Sequence, residues 1–79
     1  MTINEAVTAI EKLLAATSVV ASSQVRPSGD DVDVIKVWVD LGSSKLDPDA
    51  WAKAFEGEIR KQLPGAAAYR IQVRAEQEV

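Results

Sequence analysis

The residue types that most often carry out catalysis are largely missing from this chain. It contains no histidine and no cysteine, which removes the commonest general base near neutral pH and the commonest ligands of transition metals. Its serines therefore have no histidine to activate them as nucleophiles. We expect a protein without enzymatic activity, cofactor or metal site.

Two short segments resemble ligand-binding motifs without matching their spacing. Asp30, Asp31 and Asp33 form an acidic cluster, and hard cations such as calcium bind several carboxylate oxygens. The spacing is not that of an EF-hand, and aspartates favour turns, so we interpret them as turn residues and leave cation binding open. The loop 42–45, Gly-Ser-Ser-Lys, precedes a predicted helix but lacks the spacing of a phosphate-binding P-loop.

Size and composition predict a single small domain over residues 1–79. Hydrophobic residues make up 47% and charged residues 27% of the chain, a globular balance. The net charge of −3 disfavours nucleic acid unless the nine basic residues lie on one face. The uncharged stretch 13–21 is too short to span a bilayer and follows Glu5 and Glu11, so we expect a cytoplasmic protein.

The first helix is indicated by its start signal and its periodicity. Thr2 and Glu5 have the spacing of a capping box. Apolar residues then recur every three or four positions, which predicts an amphipathic helix over residues 3–17.

The second helix has clear signals at both ends. Asp47 and Pro48 suit the N-cap and first turn, and the Pro-Gly pair at 64–65 suits the end. We interpret Gly57, in the middle of this helix, as the point of a close helix contact. The apolar faces of the helices and strands predict a core of Trp51, Phe55, Ile59, Leu63, Ile10, Leu14, Val37, Val39 and Ile71.

Three segments have the character of β-strands. Residues 19–26 form a weakly apolar strand, which we expect at or near an edge, and residues 27–30 supply a turn. Residues 32–41 and 69–76 alternate between apolar and polar side chains. The order α-β-β-α-β predicts an α+β fold in which two helices pack on one face of a three-stranded sheet.

The other face of this sheet is predicted to be open, and it carries the candidate interface. Alternation places there Val34, Lys36, Trp38 and Asp40 from the second strand, Arg70, Gln72 and Arg74 from the third, and Gln24 or Arg26 from the first. Three interpretations stand beside each other. Arginine stems cover Trp38 on a solvated face, the face is a protein interface, or single-stranded nucleic acid stacks on Trp38 with arginines on its phosphates.

These patterns favour a non-enzymatic interaction or assembly module that self-associates through Val34, Lys36, Trp38, Arg70, Gln72 and Arg74 or through an edge strand. The alternative is a KH-like domain that binds single-stranded nucleic acid with the same face. Another protein is also a possible partner, and membrane insertion is not expected.

The chain also resembles a known module. The alternating strand Val32-Asp-Val-Ile-Lys-Val-Trp-Val-Asp40, the Asp-Pro-capped helix, Leu63-Pro-Gly65 and the closing Ile71-Gln-Val73 are similar to the cytoplasmic C-terminal domain of cation diffusion facilitator transporters. The resemblance implies dimerisation. It does not carry over the family's metal binding, because every histidine is missing here. The alkaline shock protein family and the ring-building domains of secretion systems show similar patterns, and both are assembly modules.

Overall fold

The elements follow each other in the predicted order α-β-β-α-β, with a short 3-10 turn before the last strand. The computed structural model describes residues 2–28, 33–66 and 68–77. Its elements are α1 (Ile3–Ala15), β1 (Ser22–Pro27), β2 (Val34–Asp40), α2 (Pro48–Gln62), the 3-10 turn Pro64–Ala66 and β3 (Arg70–Glu76). The α+β fold class is confirmed.

The three strands form one sheet in the order β1-β2-β3, with β2 in the centre. β1 pairs with β2 antiparallel, as neighbouring strands of a hairpin do. β3 pairs with β2 in parallel, because the intervening α2 returns the chain to the end of the sheet where β2 began. β1 therefore lies at an edge, as predicted, and β3 forms the other edge.

Helix α1 begins at the predicted capping box. The Glu5 carboxylate accepts from the Thr2 amide at 3.0 Å, and the Thr2 hydroxyl accepts from the Glu5 amide at 3.2 Å. Hydrogen bonding to the carboxylate, from the Thr2 backbone amide first and then from the Thr2 side chain, lowers the pKa of Glu5. The helix ends two residues before the predicted position, because the amide of Thr17 donates to Leu14, three residues back, and tightens the last turn.

Helix α2 also has the predicted ends. The Asp47 carboxylate accepts from the Asp49 amide at 3.1 Å, and Pro48 is the first helical residue. The expected close contact at Gly57 is wrong. Gly57 is exposed, and a Cβ atom built on it would have no neighbour within 4 Å. It lies on the solvent side of α2, where glycine only weakens the helix.

The core lies between the two helices and one face of the sheet. Seven of the nine predicted core residues are buried. Trp51, near the start of α2, and Leu63, directly after its end, are half-buried against them. Trp51 stacks on Phe55 with ring centroids 5.0 Å apart. Among the described residues, the buried hydrophobic core consists of Ala6, Ile10, Leu14, Ile35, Val37, Val39, Leu41, Phe55, Ile59, Ala66 and Ile71.

The bounds of β1 differ from the prediction at both ends. Residues 17–20 form a turn, closed by a hydrogen bond from the Val20 amide to the Thr17 carbonyl, so the strand starts at Ser22 instead of residue 19. It extends through Pro27, which the sequence assigned to the turn. Residues 29 and 30 of the predicted turn lie outside the described residues.

Candidate protein interface on the open sheet face

The two faces of the sheet differ completely in what covers them. Ile35, Val37 and Val39 of β2 are buried beneath the helices. Lys36 and Trp38 alternate with them and point the other way. No described helix or strand packs on this second face, which we call the open face.

The pairing register shows which residues share the open face. Trp38 lies opposite Gln24 of β1 and Arg74 of β3. Arg26, Lys36 and Gln72 form the next row of the face in the direction of the β2 N-terminus. The antiparallel register therefore brings both Gln24 and Arg26 to the face, although the sequence left it undecided which of the two would lie there.

Trp38 is half-buried at the centre of the open face. A shallow depression of about 370 Å³ surrounds it. Its lining includes Gln24, Arg26, Lys36, Trp38, Gln72 and Arg74. The side chain of Arg74 is 80% exposed and pairs with Glu76 at 3.3 Å, so most of its surface is in solvent instead of packed on the indole.

The neighbouring polar groups on β1 bind each other. The guanidinium of Arg26 donates from Nη2 to Oε1 of Gln24 at 2.7 Å. Both residues are exposed, so the hydrogen bond aligns them along the strand without covering the tryptophan. The indole of Trp38 thus keeps an accessible surface between the polar side chains of β1 on one side and those of β3 on the other.

Charge is distributed unevenly between the open face and the rest of the chain. Among the described residues, the face carries four of the nine basic residues of the sequence and two of its twelve acidic residues. Its formal charge is therefore +2, and the other residues of the sequence together carry −5. The charged residues of the face are Arg26, Lys36, Arg70, Arg74, Asp40 and Glu76.

The charges of the face are also separated along the strands. Lys36 and Arg26 share one row, two residues from Trp38 in the direction of the β2 N-terminus. Asp40 and Glu76 share the row two residues beyond Trp38 in the opposite direction. The tryptophan thus stands between a basic end and an acidic end.

One predicted interface residue, Val34, is not available as surface. Alternation assigns it to the open face opposite Arg70, but only 6% of Val34 is exposed. It lies at the first position of β2, where alternation specifies the side of the sheet but not how much neighbouring chain covers it. The exposed part of the interface therefore begins at Lys36.

The remaining motifs of the sequence have structural explanations where the structure describes them. Asp40 ends β2, because its carboxylate accepts from the Gly42 amide at 2.8 Å. Gly42 has a φ of 59°, the left-handed conformation that favours glycine. The glycine that opens the loop 42–45 therefore serves to end strand β2. Asp30 and Asp31 lie outside the described residues.

No family model, curated protein or solved structure matches this chain. The resemblance to the transporter domain consequently remains a prediction from pattern. In the described part of the chain, no helix combines the length and apolarity needed to cross a membrane. Among the same residues, no three acidic side chains come together as metal ligands would.

Proposed function

We propose that this chain is a non-enzymatic protein-interaction module that self-associates through the open face of its sheet. The observation that carries the proposal is the accessible Trp38, central on a face that no described element covers. Tryptophan and arginine are enriched at binding hot spots. Fully burying a large apolar side chain contributes about 1.5–3 kcal/mol, and a partner would add the part that the monomer leaves exposed.

The charge pattern favours a second copy of the chain as the partner. Lys36 and Asp40 lie two residues on either side of Trp38, about 13 Å apart at the rise of a strand. A two-fold axis that crosses the strands at Trp38 would set Lys36 of each copy over Asp40 of the other. The repulsion between two faces of charge +2 is then offset by opposite charges in register.

The dimensions of the domain allow such an interface. A standard interface buries about 800 Å² per partner, and the chain exposes 5217 Å² in total. The domain measures 35 × 25 × 18 Å, so a broad side of it supplies an area of this order. Dimerisation is also what the resemblance to the transporter domain implies. We propose that this association occurs in the cytoplasm, since a chain without cysteine gains no disulfide from an oxidising compartment.

Sedimentation velocity over a concentration series tests the proposal. Wild type should shift towards a dimer as concentration rises, and Trp38→Glu should associate more weakly with an unchanged circular dichroism spectrum, because the variant buries an unpaired charge in the interface. Leu46→Glu is the matched control. Leu46 is 42% exposed and outside the strands, so the same new charge there should leave association unchanged. A wild type that stays monomeric at the highest concentration refutes self-association.

A second function, binding of single-stranded nucleic acid, is favoured by one observation. Arg26, Lys36 and Arg74 surround Trp38 on a basic face of an otherwise acidic chain, and bases stack on aromatic rings while basic residues contact phosphates. Binding of a labelled oligonucleotide at increasing salt tests it. Phosphate contacts weaken steeply with salt, whereas association by apolar burial does not. Salt-sensitive oligonucleotide binding by wild type but not by Trp38→Ala would support this alternative.

A further inference from the structure

The outer edge of β3 presents regularly spaced backbone groups that no described strand pairs with. The Arg70 amide donates to the Asp33 carbonyl at 2.7 Å, and the Leu41 amide donates to the Glu76 carbonyl at 2.8 Å. In a parallel ladder these bonds fix the alternation, so residues 70, 72, 74 and 76 bond to β2. The N–H and C=O groups of Ile71, Val73 and Ala75 therefore point away from the sheet, where the described residues place no further strand.

The opposite edge of the sheet, formed by β1, is better protected against pairing with a further strand. The Ser28 amide donates to the Val34 carbonyl at 2.8 Å, and antiparallel alternation then directs Ser23, Val25 and Pro27 outwards. Pro27 has no N–H to offer an added strand, and proline at an edge hinders pairing. β3 contains no proline. The two edges thus differ in their capacity to accept another strand.

We propose that two copies of this chain pair through β3, antiparallel, about a two-fold axis at Val73. The pairing rests on the proposed function in taking a second copy as the partner. It sets Ile71 of each copy opposite Ala75 of the other, and Val73 opposite Val73. All of these residues direct their backbone groups outwards, so the pairing forms about six interchain hydrogen bonds.

The side chains on the open face select this register. With Val73 at the axis, Arg70 lies opposite Glu76 of the second copy, and Gln72 lies opposite Arg74. Opposite charges directly across a strand pair stabilise it, and like charges destabilise it. Glu76 uses Oε1 for Arg74 of its own chain, which leaves Oε2 for Arg70 of the second copy.

The neighbouring registers lack this complementarity. A shift of two residues in one direction sets Arg70 opposite Arg74 of the second copy, and a shift in the other direction sets Arg74 opposite Arg74. A shift of one residue pairs outward-directed groups with groups already bonded to β2 and reverses the side-chain faces. Of these registers, the one centred on Val73 alone avoids like charges and satisfies the free backbone groups.

Edge pairing would join the three strands of each copy into one sheet of six. The open faces of both copies would lie on the same side of it. Their Trp38 side chains would be separated by three strand spacings, about 14 Å, measured across the sheet. Edge pairing and association of the open faces are therefore compatible, and each can occur without the other.

Amide hydrogen exchange followed by NMR tests the pairing residue by residue. The amides of Ile71, Val73 and Ala75 should exchange rapidly in dilute protein and become protected as the concentration rises. The amides of Gln72 and Arg74, which bond to β2, should be protected at every concentration and serve as the internal control.

Charge reversal tests the register. Arg70→Glu and Glu76→Arg should each raise the dimer dissociation constant about tenfold or more, because each sets like charges opposite each other. The double variant should restore association, since it recreates the pair in reverse order. Both residues are exposed, so thermal melts of dilute protein should show folded chains in every case.

The outcomes separate this pairing from association through the open face. An associating protein whose amides at 71, 73 and 75 still exchange rapidly, or a double variant no better than the singles, overturns the β3 pairing and leaves the proposed function standing. Concentration-dependent protection of these amides in Trp38→Glu supports the β3 pairing and shows that the open face is not needed for association. A wild type monomeric at the highest concentration overturns both.

Discussion

Replacement of Phe55 by alanine tests how α2 is docked on the sheet. Phe55 is 7% exposed, lies in the core cluster, and stacks on Trp51 at 5.0 Å with an angle of 13° between the rings. Truncation of a buried phenylalanine costs about 3–5 kcal/mol. Loss of the aromatic pair, about 0.5–1.5 kcal/mol in itself, places the expected cost in the upper part of that range.

This cost is large for so small a domain. At about 0.05–0.15 kcal/mol per residue, 79 residues correspond to a free energy of unfolding of roughly 4–12 kcal/mol. Each kcal/mol shifts the Tm of a domain of this size by about 4–8 °C, so a cost of about 4–5 kcal/mol should lower the Tm of Phe55→Ala by at least about 16 °C.

Urea and thermal unfolding, followed by circular dichroism in dilute protein, measure the effect. Trp38→Ala is the matched control, because it removes a large aromatic side chain from the other face of the sheet, where the ring is only half-buried. It should cost clearly less than Phe55→Ala. The assignment of the two faces is refuted if Phe55→Ala melts within about 2 °C of wild type, or if the two variants lose equal stability.

Four further predictions concern stability. Gly57→Ala should raise the free energy of unfolding by about 1 kcal/mol in urea titration, since the site is open and helical. Gly42→Ala should lower it by about 1–2 kcal/mol in the same assay, because φ is 59° and the new Cβ would lie 3.3 Å from that of Ala21. If both glycine replacements changed the free energy of unfolding in the same direction, these two predictions would be contradicted. Glu5→Gln should destabilise the protein at neutral pH, and the difference in Tm should vanish as pH falls through the lowered pKa of Glu5, because the ionised carboxylate stabilises the fold only above it. A difference that stays constant down to pH 3 would exclude this explanation. Micromolar zinc should leave the Tm unchanged, because the chain lacks histidine and cysteine, and a rise of several degrees would reveal a carboxylate site.

The sequence was informative wherever local chemistry decides the structure. The reciprocal hydrogen bonds of Thr2 and Glu5 and the cap at Asp47 depend on residues a few positions apart. Alternation in β2 likewise assigns Val37 to the core and Trp38 to the open face, because successive strand residues point to opposite sides.

The features that sequence could not supply depend on distant parts of the chain. The strand order, and with it the position of Arg74 beside Trp38, requires the parallel return of β3. The burial of Val34 and the empty space beside Gly57 depend on what lies near these residues in three dimensions. The alternation of residues along a strand indicates the side of the sheet to which a side chain points, but its exposure depends on the residues that pack around it in the fold.

The central position of β2 also has a consequence for the order in which the chain folds during synthesis. β1 can pair with β2 soon after both are made, but β3 is completed about 36 residues after the end of β2. At 5–20 residues per second this delay is roughly 2–7 seconds. During that time the edge of β2 that will pair with β3 has no partner strand. The backbone groups of Ile35, Val37 and Val39 lie along this edge. A nascent chain of this fold is therefore most exposed to misassociation along β2. Charged side chains hinder the pairing of an exposed strand with other chains, and β2 carries two of them, Lys36 and Asp40.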